Sequence, residues 1–226
     1  MNFLQRLFSK PDYPEFWQRY LDAMQPPLSG NTPLREVTFA VFDTETTGLN
    51  PAKDKILSIG GVKVCQNEIH ISHSIEIYLE QEAAPQQQDI AIHGIIPAAQ
   101  AWQQSSAQAM PSFVEWCGPA ILTGHHVAFD VAIINQALQR QVGAQLRNRS
   151  VDTLQLAMRA QGKSEHAAPG EWTLDRLASL YNIPVHDRHT AAGDAFITAI
   201  LLMKLLHLLE KRGVKTLGQL LNYRSL

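Results

Sequence analysis

The hydrophobic period of this chain changes once, near residue 89, and that change limits the folds open to it. Before it, Glu36–Phe42 (EVTFAVF) is a β-branched and aromatic run that ends at Asp43, and Ile56–Val64 and Ile69–Leu79 read as two further strands. In the last of these, Ile69, Ile71, His73, Ile75, Ile77 and Leu79 alternate, as on a half-buried sheet face. With a turn at Gly48-Leu49-Asn50-Pro51, the three strands form a meander. After the change, apolar residues recur about every 3.6 positions. This spacing predicts helices near 89–93, 98–104 and 111–117, then at Ala128–Gln141, Thr153–Ala160, Thr173–Tyr181, Ala191–Lys211 and 214–221. Short strands at Ala120–Thr123 and Ser150–Asp152 interrupt them, and Gln161–Glu171 is a polar loop. Strands first, then helices with two isolated strands, imply an α/β domain with one sheet of five strands covered on both faces.

Residues 1–34 stand apart as a helical arm and linker, and residues 35–226 form the main domain. Phe3, Leu4, Leu7 and Phe8, then Trp17, Tyr20, Leu21 and Met24, recur at helical spacing, and Pro26-Pro27 with Ser29-Gly30 break the pattern. A domain of this size buries its own core unaided, so the arm's apolar face is expected on another chain, a second copy or a protein partner. The stretch MNFLQRLFSK has too short an apolar core for a secretory signal, and Ala195–Leu209, broken by Lys204 and His207, falls short of a membrane span. Cys65 and Cys117, far apart in apolar surroundings, suit a reducing compartment. A cytoplasmic protein without membrane contact is expected. Nineteen Lys and Arg against 21 Asp and Glu give a net charge of -2, so any contact with a polyanion must be local. Arg140, Arg147, Arg149, Arg159 and Lys163 form a basic strip that offers one such contact.

The chemistry-bearing signal is a set of carboxylates. Asp43 and Glu45 stand two residues apart at a strand end and so point to one side, where two like charges favour a cation; by itself the pair also suits a turn with a capping Asp43. Asp130 closes His125-His126-Val127-Ala128-Phe129-Asp130 in the first turn of a helix, where a carboxylate is also a good cap. His189-Thr190-Ala191-Ala192-Gly193-Asp194 places an imidazole before the longest helix and an acid inside its apolar face. Such an acid must be paired, metal-bound or protonated.

These three elements, in this order, resemble the DnaQ-like 3'-to-5' exonucleases of the DEDDh subgroup, over about residues 36 to 210. FDTETTGL carries Asp43 and Glu45, GHHVAFD ends in Asp130, and His189 with Asp194 form the H-x-A-x-x-D pattern of the subgroup. Ile92-His93-Gly94-Ile95 is similar to the family's short nucleotide-contacting segment, and Val151-Asp152-Thr153-Leu154 to its structural D-T pair. The family commonly carries His-Asn where this chain has His125-His126; an imidazole at 126 lacks an amide's paired donor and acceptor.

The resemblance implies an RNase H-like fold with a five-stranded mixed sheet flanked by helices. It also implies a metal set of Asp43, Glu45, Asp130 and Asp194, hard oxygen ligands suited to two Mg²⁺ or Mn²⁺ ions, with His189 as general base. Thr46, Leu49, Ile92, His93 and His126 would contact the terminal nucleotide. The implied substrate is the 3' end of single-stranded or frayed nucleic acid, DNA in the leading reading, and the product a nucleoside 5'-monophosphate. An RNA-trimming enzyme with the same catalytic residues and a non-catalytic partner-binding module stay open as alternatives. The chain's ending soon after its last helices favours a freestanding enzyme over a proofreading subunit. Gln219-Leu220-Leu221-Asn222-Tyr223 is weakly similar to clamp-binding peptides, though helical core packing explains it better.

Overall fold

The computed structural model describes residues 12–81, 103–162 and 172–222. Helix α1 (Glu15–Ala23) precedes strands β1 (Phe39–Thr46), β2 (Ile56–Cys65), β3 (Glu68–Leu79) and β4 (Gln103–Gln104). Helix α2 (Ser106–Cys117), β5 (Ile121–Gly124), α3 (Val127–Val142), β6 (Ser150–Asp152) and α4 (Thr153–Gln161) follow, and then α5 (Leu174–Leu180), α6 (Ala191–Lys211) and α7 (Leu217–Leu221). The sheet runs β4-β3-β2-β1-β5-β6. β1, β2 and β3 form the expected antiparallel meander, and β5 joins β1 in parallel.

Among the described residues the sheet has six strands where five are expected, because Gln103–Gln104 pair in parallel with Tyr78–Leu79 at its edge. These residues fall in the segment predicted as helix 98–104. Two glutamines carry no apolar period, so hydrogen bonds to a neighbouring strand decide their state, among them Glu80 N–H to Gln104 O at 3.0 Å. The rest of that segment, helix 89–93 and the first half of the arm's apolar pattern lie outside the described residues. Helix α2 starts at Ser106 rather than near Pro111, because Ser105 and Gln108 form a capping box five residues earlier. Helix α7 starts at Leu217, capped by the Thr216 hydroxyl and the Gln219 amide.

Alternation along β1 divides the core. Phe39 and Val41 face a layer containing α4, α5, α6 and α7, while Ala40 and Phe42 face one containing α1, α2 and α3. Helix α6, 21 residues long, is long and apolar enough to cross a membrane, contrary to the expectation from Ala195–Leu209 alone. Its apolar side is nevertheless core: Ile197, Leu201, Leu202, Leu205 and Leu209 are all buried against the sheet layer.

The described part of the arm, from residue 12, covers its own domain rather than projecting from it. Trp17 and Tyr20 keep 1% and 3% of their surface, in the same core as Phe113 of α2. Their rings lie 4.8 Å apart, and the Tyr20 hydroxyl donates to Asn148 Oδ1 at 2.6 Å while accepting Arg147 N–H at 2.7 Å. The expected docking on another chain thus gives way, for this face, to packing within the chain. A buried ring pair with a satisfied phenol stabilises more than an exposed one. The linker is held as well, through Leu34 N–H to Lys215 O and Leu217 N–H to Thr32 O.

Candidate active site

Strand β1 runs on through Thr46, so Asp43 and Glu45 lie within it on the face that carries Phe39 and Val41. Helix α6 is on that side, and its first turn brings Asp194. Gly60, paired with Asp43 across the ladder, makes the approach possible. A Cβ at Gly60 would stand 2.2 Å from Ala192 N and 2.3 Å from Ala191 C, so only hydrogen lets the helix start rest on the strand. Gly193 serves the same purpose toward the preceding loop, where a Cβ would meet Asp187 O at 2.0 Å. Thr190 caps α6, its hydroxyl accepting Gly193 N–H at 3.1 Å.

Carboxylate oxygens of Asp43, Glu45 and Asp194 lie within 4.8 Å of one another. Burial pushes the Asp43 carboxyl well above the usual carboxylate range, and the charges of Asp130, Asp194 and Glu45 push it further, against a smaller opposing effect of Arg188. Asp130 is held beside this group from the other layer. Its Oδ1 accepts Thr44 N–H at 3.1 Å and the Thr44 hydroxyl at 2.6 Å, and burial still raises it to about 7. Asp130 is therefore no helix cap: His126 occupies the N-cap position of α3, in a left-handed conformation.

Asp194 is ion-paired through Oδ2 to Arg188, while its Oδ1 is buried with no hydrogen-bond partner among the described residues. An orphaned buried carboxylate oxygen is costly unless something cationic or protic reaches it. All three clustered ligands are hard oxygens and none is Cys or His, so the set fits Mg²⁺ or Mn²⁺ better than a thiolate-seeking metal.

The remaining predicted residues fall around this centre. His189 is exposed, with φ +62°, on the loop before α6. Thr46 is buried and its hydroxyl donates to Gly48 O at 2.7 Å, whereas Leu49 is 89% exposed at the turn after β1. His126 is exposed, and its backbone N–H donates to Asp152 Oδ1 at 3.1 Å. Asp152 also accepts Leu154 N–H at 2.9 Å, so the D-T pair ties the second motif to the start of α4. Ile92 and His93 lie outside the described residues. A 540 Å³ cavity lined by Asp54, Lys55, Glu80, Gln81, Gln136 and Arg140 contains none of the motif acids Asp43, Glu45, Asp130 and Asp194.

Two residues of the basic strip are committed to internal structure, and Lys163 lies outside the described residues. Arg149 donates to Leu28 O at 2.7 Å and Arg159 to Gln219 O at 2.9 Å, so these two hold the linker and the C-terminal helix. Leu217 and Leu220 are fully buried and Gln219 caps its own helix, as core packing requires. Sequence reasoning missed Gly60, Thr44 and Arg188. A glycine pair inside a β-branched strand was the available signal for the first; a threonine and an arginine beside the motif acids offered none.

Residues 40–202 match the Exonuclease family. Among curated proteins, the DNA polymerase III subunit epsilon-like protein of Rhodobacter capsulatus is 32% identical over 193 residues, 84% of this chain and 27% of its own length. The chain spans about a quarter or less of the length of the curated relatives it matches. Escherichia coli exonuclease I, solved in complex with a dT13 oligonucleotide, superposes with a TM-score of 0.63 at 19% identity, covering 79% of this chain and 44% of that one. Exonuclease X, solved with 5' overhanging duplex DNA, gives 0.58 at 22%, covering 83% and 99%. At these identities the two structures share the fold.

Proposed function

The chain belongs to the DnaQ-like 3'-to-5' exonucleases of the RNase H-like superfamily, and from that membership we propose that it removes nucleotides from single-stranded or frayed 3' ends of DNA. The observation that carries this reading is the convergence of the Asp43, Glu45 and Asp194 carboxylates, one oxygen of Asp194 being buried without a hydrogen-bond partner among the described residues. Asp130 completes the set from α3. Bound there, two Mg²⁺ or Mn²⁺ ions would activate the attacking water and stabilise charge on the leaving 3'-oxygen.

The chain's own residues supply the rest. His189 accepts a proton from the water as its oxygen bonds to phosphorus; the bond from phosphorus to the 3'-oxygen breaks, the 3'-hydroxyl regains a proton, and a nucleoside 5'-monophosphate leaves. Thr46 and Leu49, on β1 and the turn after it, flank the terminal sugar and base, with His126, Ile92 and His93 as further contacts. An exposed leucine in the turn that follows the acid-bearing strand suits an unstacked base better than it suits water. DNA is favoured over RNA because the polymerase III relative and the two superposed nucleases, as their names and complexes describe them, act in a DNA context. The two free cysteines, one buried, suit a reducing cytoplasm.

Pure protein incubated with 5'-end-labelled DNA and RNA oligomers, in Mg²⁺, Mn²⁺ or EDTA, tests the reading. Stepwise shortening of DNA with mononucleotide release, abolished by EDTA, is expected. Faster trimming of RNA would transfer the activity to an exoribonuclease, and an intact substrate in both ions would leave a non-catalytic partner-binding module.

A further inference from the structure

The loop before α6 carries an arginine that ties three parts of the molecule together. Asp187 and His189 both adopt left-handed backbone conformations, with φ of +55° and +62°, and they bracket Arg188. The two reversals turn Arg188 inward to 18% side-chain exposure while His189 stays exposed. The Thr190 hydroxyl donates to Asp187 O at 2.6 Å, pressing the loop onto the first turn of α6.

All three nitrogens of the Arg188 guanidinium are engaged. Its Nε donates to Asp175 Oδ1 at 2.6 Å and Nη2 to Asp175 Oδ2 at 2.9 Å, a two-pronged grip on α5. Its Nη1 pairs with Asp194 Oδ2. One oxygen of Asp194 is thereby occupied, and the other is buried and without a hydrogen-bond partner among the described residues, on a carboxylate that clusters with those of Asp43 and Glu45.

We propose that Arg188 is a positioning residue for the metal centre. It presents Asp194 to the cation through Oδ1 alone, and it anchors the His189 loop to α5 by the same planar group. This deepens the exonuclease reading and rests on the acids holding a divalent cation. The function depends on the fork: a lysine would retain the charge near Asp194, but its single ammonium cannot grip Asp175 with two parallel bonds and reach Asp194 as well. A simple counter-ion would behave differently, since its charge would compete with the cation and its removal would tighten metal binding.

Mn²⁺ titration calorimetry and Mn²⁺ electron paramagnetic resonance on the full chain, with melting curves in EDTA as the folding control, distinguish the two roles. Arg188→Ala and Arg188→Lys should each weaken Mn²⁺ binding by about tenfold, roughly 1.4 kcal/mol, and alter the Mn²⁺ spectrum. Asp175→Asn should weaken binding by about threefold and add little on top of Arg188→Ala. In the same variants kcat should fall while KM for an oligonucleotide holds. Full affinity in Arg188→Lys, or tighter binding in Arg188→Ala, would overturn the proposal. If Arg188→Ala does not fold, Asp175→Asn carries the test, and unchanged affinity there overturns it. No Mn²⁺ binding by the unaltered chain would remove the metal reading and this proposal together, whereas equal binding by all forms would remove this proposal alone.

Discussion

Helices α1 and α6 occupy opposite layers, and each brings a side chain of opposite character to its neighbours. Helix α1 contributes Trp17 and Tyr20, rings with almost no exposed surface, and the one polar atom of Tyr20 has both a donor and an acceptor partner. Helix α6 contributes the buried Asp194 beside two further acids, one of whose carboxyls is forced well above its usual range. Among the described residues the first region leaves a neutral indole nitrogen, Trp17 Nε1, without a partner, whereas the second leaves a carboxylate oxygen, Asp194 Oδ1. An unpartnered carboxylate oxygen among like charges costs more to bury than a neutral indole N–H and survives where a ligand relieves it, so the layer with α1 contributes stability and the end of the sheet under α6 gives up stability for chemistry.

The contrast is broken most forcefully at Asp43. Asp43→Ala should lower the nuclease rate by at least about 10³-fold, near 4 kcal/mol of transition-state stabilisation, yet leave the EDTA-treated protein as stable as before or more so. A folded Asp43→Ala enzyme at normal rate would show that these acids do not carry the reaction. His189→Ala should slow the reaction about 10² to 10⁴-fold and flatten the rising limb of its pH-rate profile, and an unchanged profile would remove it as the base.

On the α1 side the effect should fall on stability alone. Trp17→Ala, removing a fully buried ring, is expected to cost about 3–5 kcal/mol in urea unfolding while the rate per folded molecule is kept. A melting curve that does not move would mean that the ring pair holds nothing together. Gly60→Ala should join the two behaviours: overpacking against the α6 backbone is expected to cost roughly 1–3 kcal/mol and to weaken Mn²⁺ binding at once. Normal calorimetry in a destabilised Gly60→Ala would separate the helix approach from the site.

The smallest effect is a dependence on pH. Asp130, raised to about 7, and Asp43, raised well above its usual range, keep protons in the folded metal-free chain that the unfolded chain releases near pH 4. Folding therefore binds protons between those values, and stability falls as pH rises through the window, levelling above the folded values. His125, pushed down to about 4 by burial, acts in the opposite sense below about pH 6.5, where the unfolded chain gains a proton that the folded chain refuses. Melting in EDTA should thus be higher at about pH 6.5 than at about 7.5, and saturating Mn²⁺ should flatten or reverse the difference. Equal melting temperatures in EDTA would mean that the acids are already ionised without metal.

Much of this arrangement was legible in the residues because it is local. Apolar periodicity marked Ala191–Lys211 to its ends, and β-branched runs marked β1 to β3, since both follow from which side of one element meets the core. The order of the acids and of His189 was likewise a property of short motifs. What pairs or touches across long separations was not. Gln103–Gln104 became a strand only because the edge of β3 offered hydrogen bonds, and the face of α1 found its cover 128 residues away at Asn148. The junction of Asp175, Arg188 and Asp194 depended on Gly60 letting a helix rest on a strand. By itself the sequence determined which elements form and which side chains carry charge. Only the tertiary structure decided which charges meet and which oxygen is left without a partner, because close packing and desolvation are set by neighbours that no local period encodes.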